Sequence, residues 1–168
     1  MLIAEALNLG GLIKEEGYIL KTGGYEVVDL GDDVYTQGKP HPMIDPEVRI
    51  KKILECAKDP QTGVILLDCM LGYGCHPDMA GALAPAIREA QEIAKADGRE
   101  LYFVASVCGT RQDPQDYDRA VAELKECGVL VEESNARAIR LALKLKGIDY
   151  KENSRGHVDV AVDETPLP

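Results

Sequence analysis

With 168 residues and a mass of 18.3 kDa, the chain is long enough for one ordinary domain with a hydrophobic core and too short for two full ones. Its 29 acidic and 19 basic side chains give a net charge of −10, which excludes the basic surface that proteins need to bind nucleic acid. The sequence has no apolar run near the roughly 18–20 residues that cross a bilayer and no signal peptide at its start, so we expect a cytoplasmic protein without a membrane partner.

Apolar runs and helical patterns alternate along most of the chain. The first segment, residues 1–23, is predicted to consist of an N-terminal helix (Leu2–Glu16) and a junction. Residues 24–147 are predicted to form one domain and residues 148–168 a polar tail, in which VDVAV has the alternation of an edge strand or of a segment that docks on a partner. Strands are predicted at Tyr25–Leu30, Gly63–Asp68, Leu101–Val107 and Val129–Val131, and helices at Pro46–Lys58, Met79–Asp97, Asp113–Gly128 and from the cap Ser134 to Gly147. This order predicts an α/β fold of three layers, an open and mainly parallel sheet between two layers of helices.

One predicted loop has the composition of an anion site. Ligands of an open parallel sheet bind at the carboxyl ends of its strands, and CMLGYGCHPD leaves such an end. Gly72, Tyr73 and Gly74 are expected to bring backbone N–H groups close to a ligand, and the helix capped by Asp78 directs its positive end to the same place. The pattern suits a phosphate, although G-Y-G is also typical of a tight turn.

Two His-Pro dipeptides, at His41 and His76, follow successive predicted strands. Proline biases the preceding residue away from helical dihedral angles, so both imidazoles are expected in loops that face one crevice. They are candidates for catalytic acid, base, metal ligand or phosphoryl acceptor, and also for residues that cap turns. Gly109, Thr110 and Asn135 are expected to complete the ligand site, and Arg111, with its forked donors, is a further candidate contact for an anion.

Acidic and thiol side chains in the same loops allow further interpretations. Asp29, Asp32 and Asp33 are candidate Mg²⁺ ligands, but turn-forming aspartates explain this pattern as well. Cys75 and Cys108 are candidate nucleophiles, or else packing thiols. The five cysteines form an odd set with no C-x-x-C pair, so we expect free thiols.

The chain contains VVDLGDDVYTQGKPHPMIDPEVR, VILLDCMLGYGCHPDMAGALAPAI, FVASVCGTRQDPQ and GVLVEESNARA. Over roughly residues 24–145 these stretches resemble the C-terminal part of FdrA proteins, relatives of succinyl-CoA synthetase in the acyl-CoA ligase superfamily. The strings HPMIDP and LGYG-HPD are typical of FdrA proteins rather than of the ligases at large.

The resemblance implies a flavodoxin-like succinyl-CoA synthetase domain. In the ligases two such domains meet around a phosphohistidine loop, and Gly72 and Gly74 are similar in position to a glycine turn that faces the phosphate. Where the α-type domain has the phosphorylated histidine, this chain has CGTRQDPQDYD without a histidine. It is therefore similar to the β-type half, or its chemistry is different. Members of the FdrA group are also linked with carbamoyl transfer to or from oxamate in allantoin and purine breakdown.

From this resemblance we expect a domain or small subunit of an FdrA-like acyl-CoA synthetase that holds a phosphate or acyl-phosphate group. A subunit of an oxamate-type carbamoyltransferase and a non-catalytic assembly module remain alternatives. Full FdrA proteins add a CoA-binding domain and a second synthetase-like domain, so we expect a homo-oligomer or a partner chain that carries them, and a small anionic metabolite as ligand. No cofactor is expected on this chain alone, whereas CoA, ATP and Mg are expected of the complete assembly.

Overall fold

A computed structural model describes residues 16–152 and 158–162 of the chain. Within them, strands and helices alternate after an initial pair of strands. The elements are β1 (Tyr18–Thr22), β2 (Tyr25–Val28), α1 (Asp33–Thr36), α2 (Glu47–Lys58), β3 (Val64–Met70), α3 (Met79–Ala96), β4 (Tyr102–Cys108), α4 (Tyr117–Glu126), β5 (Leu130–Glu132), α5 (Asn135–Lys144), β6 (Ile148–Glu152) and β7 (Val158–Val162).

The parallel sheet has the strand order β3-β4-β5, with Leu66 opposite Val104 and Ala105 opposite Val131. Helices α3 and α4 provide the crossovers between these strands. Because the three strands run in one direction, the loops after β3, β4 and β5 all leave the same edge of the sheet. The predicted α/β fold with a parallel sheet is confirmed.

The hydrophobic core lies between this sheet and the layer formed by α2, α3 and α4. Phe103 of β4 is fully buried there with Leu83 and Ile87 of α3 and Leu124 of α4. Helix α5 packs against β3 and β4 without joining this core, which places it on the opposite face of the sheet. The three-layer arrangement covers both faces of the central strand β4, in which Phe103, Val104, Ala105, Ser106 and Val107 are all buried.

The prediction for the first strand was wrong in one respect. Tyr25–Val28 belongs to a separate antiparallel hairpin with Tyr18–Thr22, so the described part of the parallel sheet has three strands instead of four. The reason is the turn at Gly23 and Gly24, whose φ angles of 57° and 83° reverse the chain over two residues. Asp29 ends the strand earlier than predicted, because its carboxylate accepts a hydrogen bond from the N–H of Gly31.

The predicted tail includes a second hairpin, in which Ile148–Glu152 and Val158–Val162 are antiparallel partners. The segment VDVAV is thus a strand, and its partner is β6 rather than the parallel sheet. The predicted helix before residue 16 lies outside the described residues, and the domain boundaries at residues 23 and 147 stay predictions. In the part of the chain that the structure describes, no helix is long and apolar enough to span a bilayer. All five cysteines are free thiols, as expected.

Candidate functional site

Three loops at the carboxyl edge of the sheet contact one another through backbone hydrogen bonds. We call residues 41–45, 71–78 and 108–115 the edge loops. The N–H of His76 donates to the carbonyl of Met43 over 2.7 Å, and the N–H of Leu71 donates to the carbonyl of Cys108 over 2.9 Å. Segments that are far apart in the sequence therefore form one surface, although the first edge loop follows a hairpin and not a strand of the sheet.

Gln115 joins the third edge loop to the second. Its Oε1 accepts the N–H of Gly72 over 2.9 Å, and its Nε2 donates to the carbonyls of Gly72 and His76 over 3.0 and 3.3 Å. The N–H of Gly72, which the sequence predicted as a ligand donor, is therefore occupied within the chain. Gln115 was not among the predicted site residues. The one feature of the sequence that could have indicated its role is that it is a polar residue in a loop at the carboxyl edge of the sheet.

The tip of the second edge loop is Tyr73 and Gly74. Tyr73 is 89% exposed, and Gly74 has a φ of 82° with no atom within 4 Å of the position that a Cβ would take. Within the described residues, the backbone N–H groups of Tyr73 and Gly74 have no hydrogen-bond acceptor. These two donors are consequently free for a ligand or a partner.

Asp78 caps α3, as predicted, by accepting the N–H of Gly81 over 3.1 Å. Its other carboxylate oxygen accepts from the guanidinium of Arg119 on α4. Because Asp78 satisfies the helix end and Arg119 neutralises its charge, it orients the loop rather than offering a group to an anion.

Both predicted histidines accept a backbone hydrogen bond at Nδ1. The donor to His76 is the N–H of Asp78 over 3.0 Å, and the donor to His41 is the N–H of Met43 over 3.2 Å. A neutral imidazole that accepts at Nδ1 has its hydrogen on Nε2, so each ring keeps one N–H donor. His41 also lies over Gly31, with Nε2 only 2.5 Å from the position of an added Cβ.

Gly109 and Thr110 lie in the third edge loop. Gly109 packs against Leu71, whose Cβ is 2.6 Å from the position that a Cβ on Gly109 would take. Thr110 forms a local turn, because its N–H and hydroxyl donate to Asp113 over 2.6 and 3.2 Å. These residues thus hold the loop together. The N–H of Thr110 is used within the chain, whereas the N–H of Gly109 has no acceptor among the described residues.

Asn135 is the first residue of α5 and is exposed at the end of β5. The cap of this helix is Ser134, which accepts the N–H of Arg137 over 3.3 Å. None of the described hydrogen bonds links Asn135 to the edge loops, so its place in the ligand site stays a prediction.

The alternative candidates have local roles. Asp29 accepts from Gly31 and Asp32 caps α1, and the described residues contain no cluster of three metal-ligating side chains. Arg111 forms two hydrogen bonds of 2.8 Å with Asp118 and holds the pKa of that carboxyl below its ordinary value. Cys75 is half-buried and Cys108 is exposed at the end of β4.

Comparison with known proteins gives one family and one informative relative. The chain matches the CoA-ligase family over residues 2–145. It is similar to the uncharacterized protein YahF of Escherichia coli (strain K12), with 44% identity over 115 residues, which are 68% of this chain and 22% of YahF. The match thus covers about a fifth of the length of that relative.

Proposed function

The chain belongs to the CoA-ligase family, and from this membership we propose that it serves as the succinyl-CoA synthetase-like domain of an FdrA-like acyl-CoA synthetase. In this proposal the backbone N–H groups of Tyr73 and Gly74 bind the phosphate of an acyl phosphate at the carboxyl edge of the sheet. The observation that carries the proposal is that these two donors are adjacent and free at the exposed tip, while the N–H groups of Gly72 and Thr110 are satisfied within the chain.

Two further observations support this assignment. Backbone donors at a glycine turn bind anions well because the N–H dipoles approach the ligand without a side chain in the way. The tip lies between the end of β3 and the start of α3, which is where ligands of open parallel sheets bind. His76 in the same loop and His41 in the adjacent one each keep an Nε2 hydrogen for a substrate oxygen.

Two free donors make only part of a phosphate site, so we propose that a second domain or chain completes it. The match of the chain covers 22% of YahF, which leaves ample sequence in such relatives for the CoA-binding domain and a second synthetase-like domain. CoA, ATP and Mg would be bound by that complete assembly, which is either a homo-oligomer or a complex with a partner chain.

The test is a titration of the chain with inorganic phosphate, acetyl phosphate and carbamoyl phosphate, followed by the amide resonances of Tyr73 and Gly74. We expect saturable shifts at these amides, and we expect Gly74→Ala to abolish them because alanine disfavours the positive φ. The control is Gly98→Ala, since Gly98 has a φ of 71° and equally open space but lies at the opposite edge of the sheet.

Each outcome of this titration distinguishes between the possibilities. Unchanged amides at millimolar concentrations of every phosphate would overturn the proposal, and so would an equal loss of binding in both glycine variants. A response to carbamoyl phosphate that clearly exceeds the response to acetyl phosphate would favour the carbamoyltransferase alternative.

A non-catalytic assembly role is the second candidate, and exposed apolar side chains favour it. Tyr73 and Ile44 lie on edge loops that contact each other, and the exposed fraction of Ile44 is 50%. Val34 of α1 is 55% exposed. Tyr73 and Ile44, on adjoining loops, are the pair that favours an interface. We expect Ile44→Ser to weaken association in light scattering, and Leu130→Ser, at an exposed site at the start of β5, to leave it unchanged.

A further inference from the structure

We infer that Gln115 is a positioning residue of the candidate anion site, and that its side-chain amide holds the second edge loop in the conformation that leaves the N–H groups of Tyr73 and Gly74 free. The functional consequence of this role rests on the proposed phosphate site, but the role in the loop is measured independently of any ligand.

The side chain of Gln115 acts toward Gly72 as a paired backbone would. It accepts from the N–H of Gly72 and donates to the carbonyl of the same residue, over 2.9 and 3.0 Å. A third contact of 3.3 Å reaches the carbonyl of His76 on the other side of the tip. Since a backbone N–H only donates, the oxygen of the Gln115 amide must face Gly72, which fixes the orientation of the amide.

This contact anchors the turn at the tip to another segment of the chain. Gly72 has a φ of 133°, which lies outside the regular regions, and it is half-buried. Its N–H has Gln115 as its acceptor, and its carbonyl accepts from Gln115 and, within the turn, from the N–H of Cys75 over 3.2 Å. Without Gln115 the N–H of Gly72 would be a third free donor in the loop and would compete with the N–H groups of Tyr73 and Gly74 for an incoming anion. The tip would also lose its connection to the third edge loop, so its position would no longer be defined.

Within the loop, the N–H of Cys75 donates to the carbonyl of Gly72 over 3.2 Å and closes a four-residue turn around the tip, but this bond does not connect the turn to another segment. The N–H of Leu71 fixes the beginning of the loop against β4, and the N–H of His76 fixes its end against Met43. Between these two points the contacts with Gln115 are the ones that connect the loop to another segment of the chain. A small polar side chain at position 115 would not span this gap, so the length of glutamine is part of the role.

The experiment measures hydrogen exchange at the N–H of Gly72 together with the resonances of Tyr73 and Gly74. In Gln115→Ala we expect exchange at Gly72 to be at least about tenfold faster, since one lost hydrogen bond changes a local equilibrium by about this factor. The control is Gln112→Ala, because Gln112 is exposed in the same loop and donates only its backbone N–H, to Thr110, within the described residues.

A second variant, Gln115→Glu, separates hydrogen bonding from simple filling of space. A carboxylate only accepts and would face two carbonyl oxygens, whereas a protonated carboxyl both donates and accepts like the native amide. The two facing carbonyl oxygens should raise the pKa of this carboxyl above the ordinary value of about 4.3 for glutamate. We therefore expect the tip resonances of this variant to move toward those of the native chain as the pH falls from about 8 to about 5.5, which lies above the pI of about 4.8. Spectra of the native chain over the same pH range serve as the reference. They correct the tip resonances for pH effects that come from the nearby His76, His41, Asp78 and Asp113.

The results separate this inference from the proposed function. If Gly72 is protected equally in the native chain, Gln115→Ala and Gln112→Ala, or if the tip resonances of the Glu variant at pH 8 equal those of the native chain, Gln115 does not position the loop. If these readouts behave as expected but the native chain binds neither inorganic phosphate nor acetyl phosphate, the positioning role stands and the proposed function fails. Weaker phosphate binding in Gln115→Ala, with normal binding in Gln112→Ala, supports both.

Discussion

The substitution Gly109→Ala tests how closely the second and third edge loops pack. An added Cβ would lie 2.6 Å from Cβ and 3.0 Å from Cγ of Leu71, whereas ordinary van der Waals contact begins at 3.4 Å. The segments must therefore separate by about 0.8 Å. Because the nearest atom is a Cβ, it follows its backbone, and a change of side-chain rotamer does not relieve the overlap.

Overpacking of this kind costs about 1–3 kcal/mol of the free energy of unfolding. For a chain of 168 residues this corresponds to a decrease in Tm of roughly 2–12 °C. The matched control is Gly63→Ala, where the nearest atom is the flexible Nζ of Lys146 at 3.0 Å. Neither glycine has a positive φ, so the difference between the two variants reports the steric effect and not the backbone preference.

The assay is urea unfolding followed by circular dichroism, with both variants and the native chain at the same pH. Gly109→Ala is expected to unfold at a clearly lower urea concentration than Gly63→Ala. Equal midpoints for the two variants would refute the reasoning, because they would mean that Leu71 is not held against Gly109.

Two further predictions concern stability and thiol chemistry. Arg49, whose side chain is 11% exposed, donates to the carbonyl and the carboxylate of Asp68 over 2.6 and 2.7 Å. We expect Arg49→Ala to lower the free energy of unfolding by about 1–3 kcal/mol and Arg49→Lys to recover only part of it, so an unchanged urea midpoint in Arg49→Ala would contradict this. Burial raises the pKa of Cys69 from 9.0 to about 11, so alkylation near about pH 8 should label Cys108 and spare Cys69 in mass spectra of the native chain. Since the unfolded chain loses this thiol proton first, the free energy of unfolding should fall as the pH rises from 9 to about 11, and a flat dependence there would contradict the assignment.

Local patterns in the sequence predicted most of the regular structure. The helix predicted from Met79 to Asp97 is observed over Met79–Ala96, and the predicted caps Asp78 and Ser134 both accept backbone N–H groups. These features depend on residues three or four positions apart, so the sequence contains the information directly.

The third predicted helix begins later in the structure than helical periodicity indicates. A start at Asp113 was expected from the D-P pair, but α4 begins at Tyr117 with Asp116 as its cap. Asp113 accepts hydrogen bonds from Thr110, and the side chain of Gln115 contacts Gly72. These residues are left out of the helix because their polar groups are used in the edge loops, and helical periodicity does not detect such a competition.

The sequence by itself determined the α/β alternation, the three strands of the parallel sheet, the helix caps and the loops that lie at the carboxyl edge, because each of these arises from hydrophobic period and short-range hydrogen bonds. Only the tertiary structure decided that Tyr25–Val28 pairs in a hairpin and that Gln115 occupies the N–H of Gly72, 43 residues away, so that this donor is used within the chain while those of Tyr73 and Gly74 beside it are free. A hydrogen bond between distant residues forms only after packing has brought them together, and no local pattern encodes which donor it removes from the site.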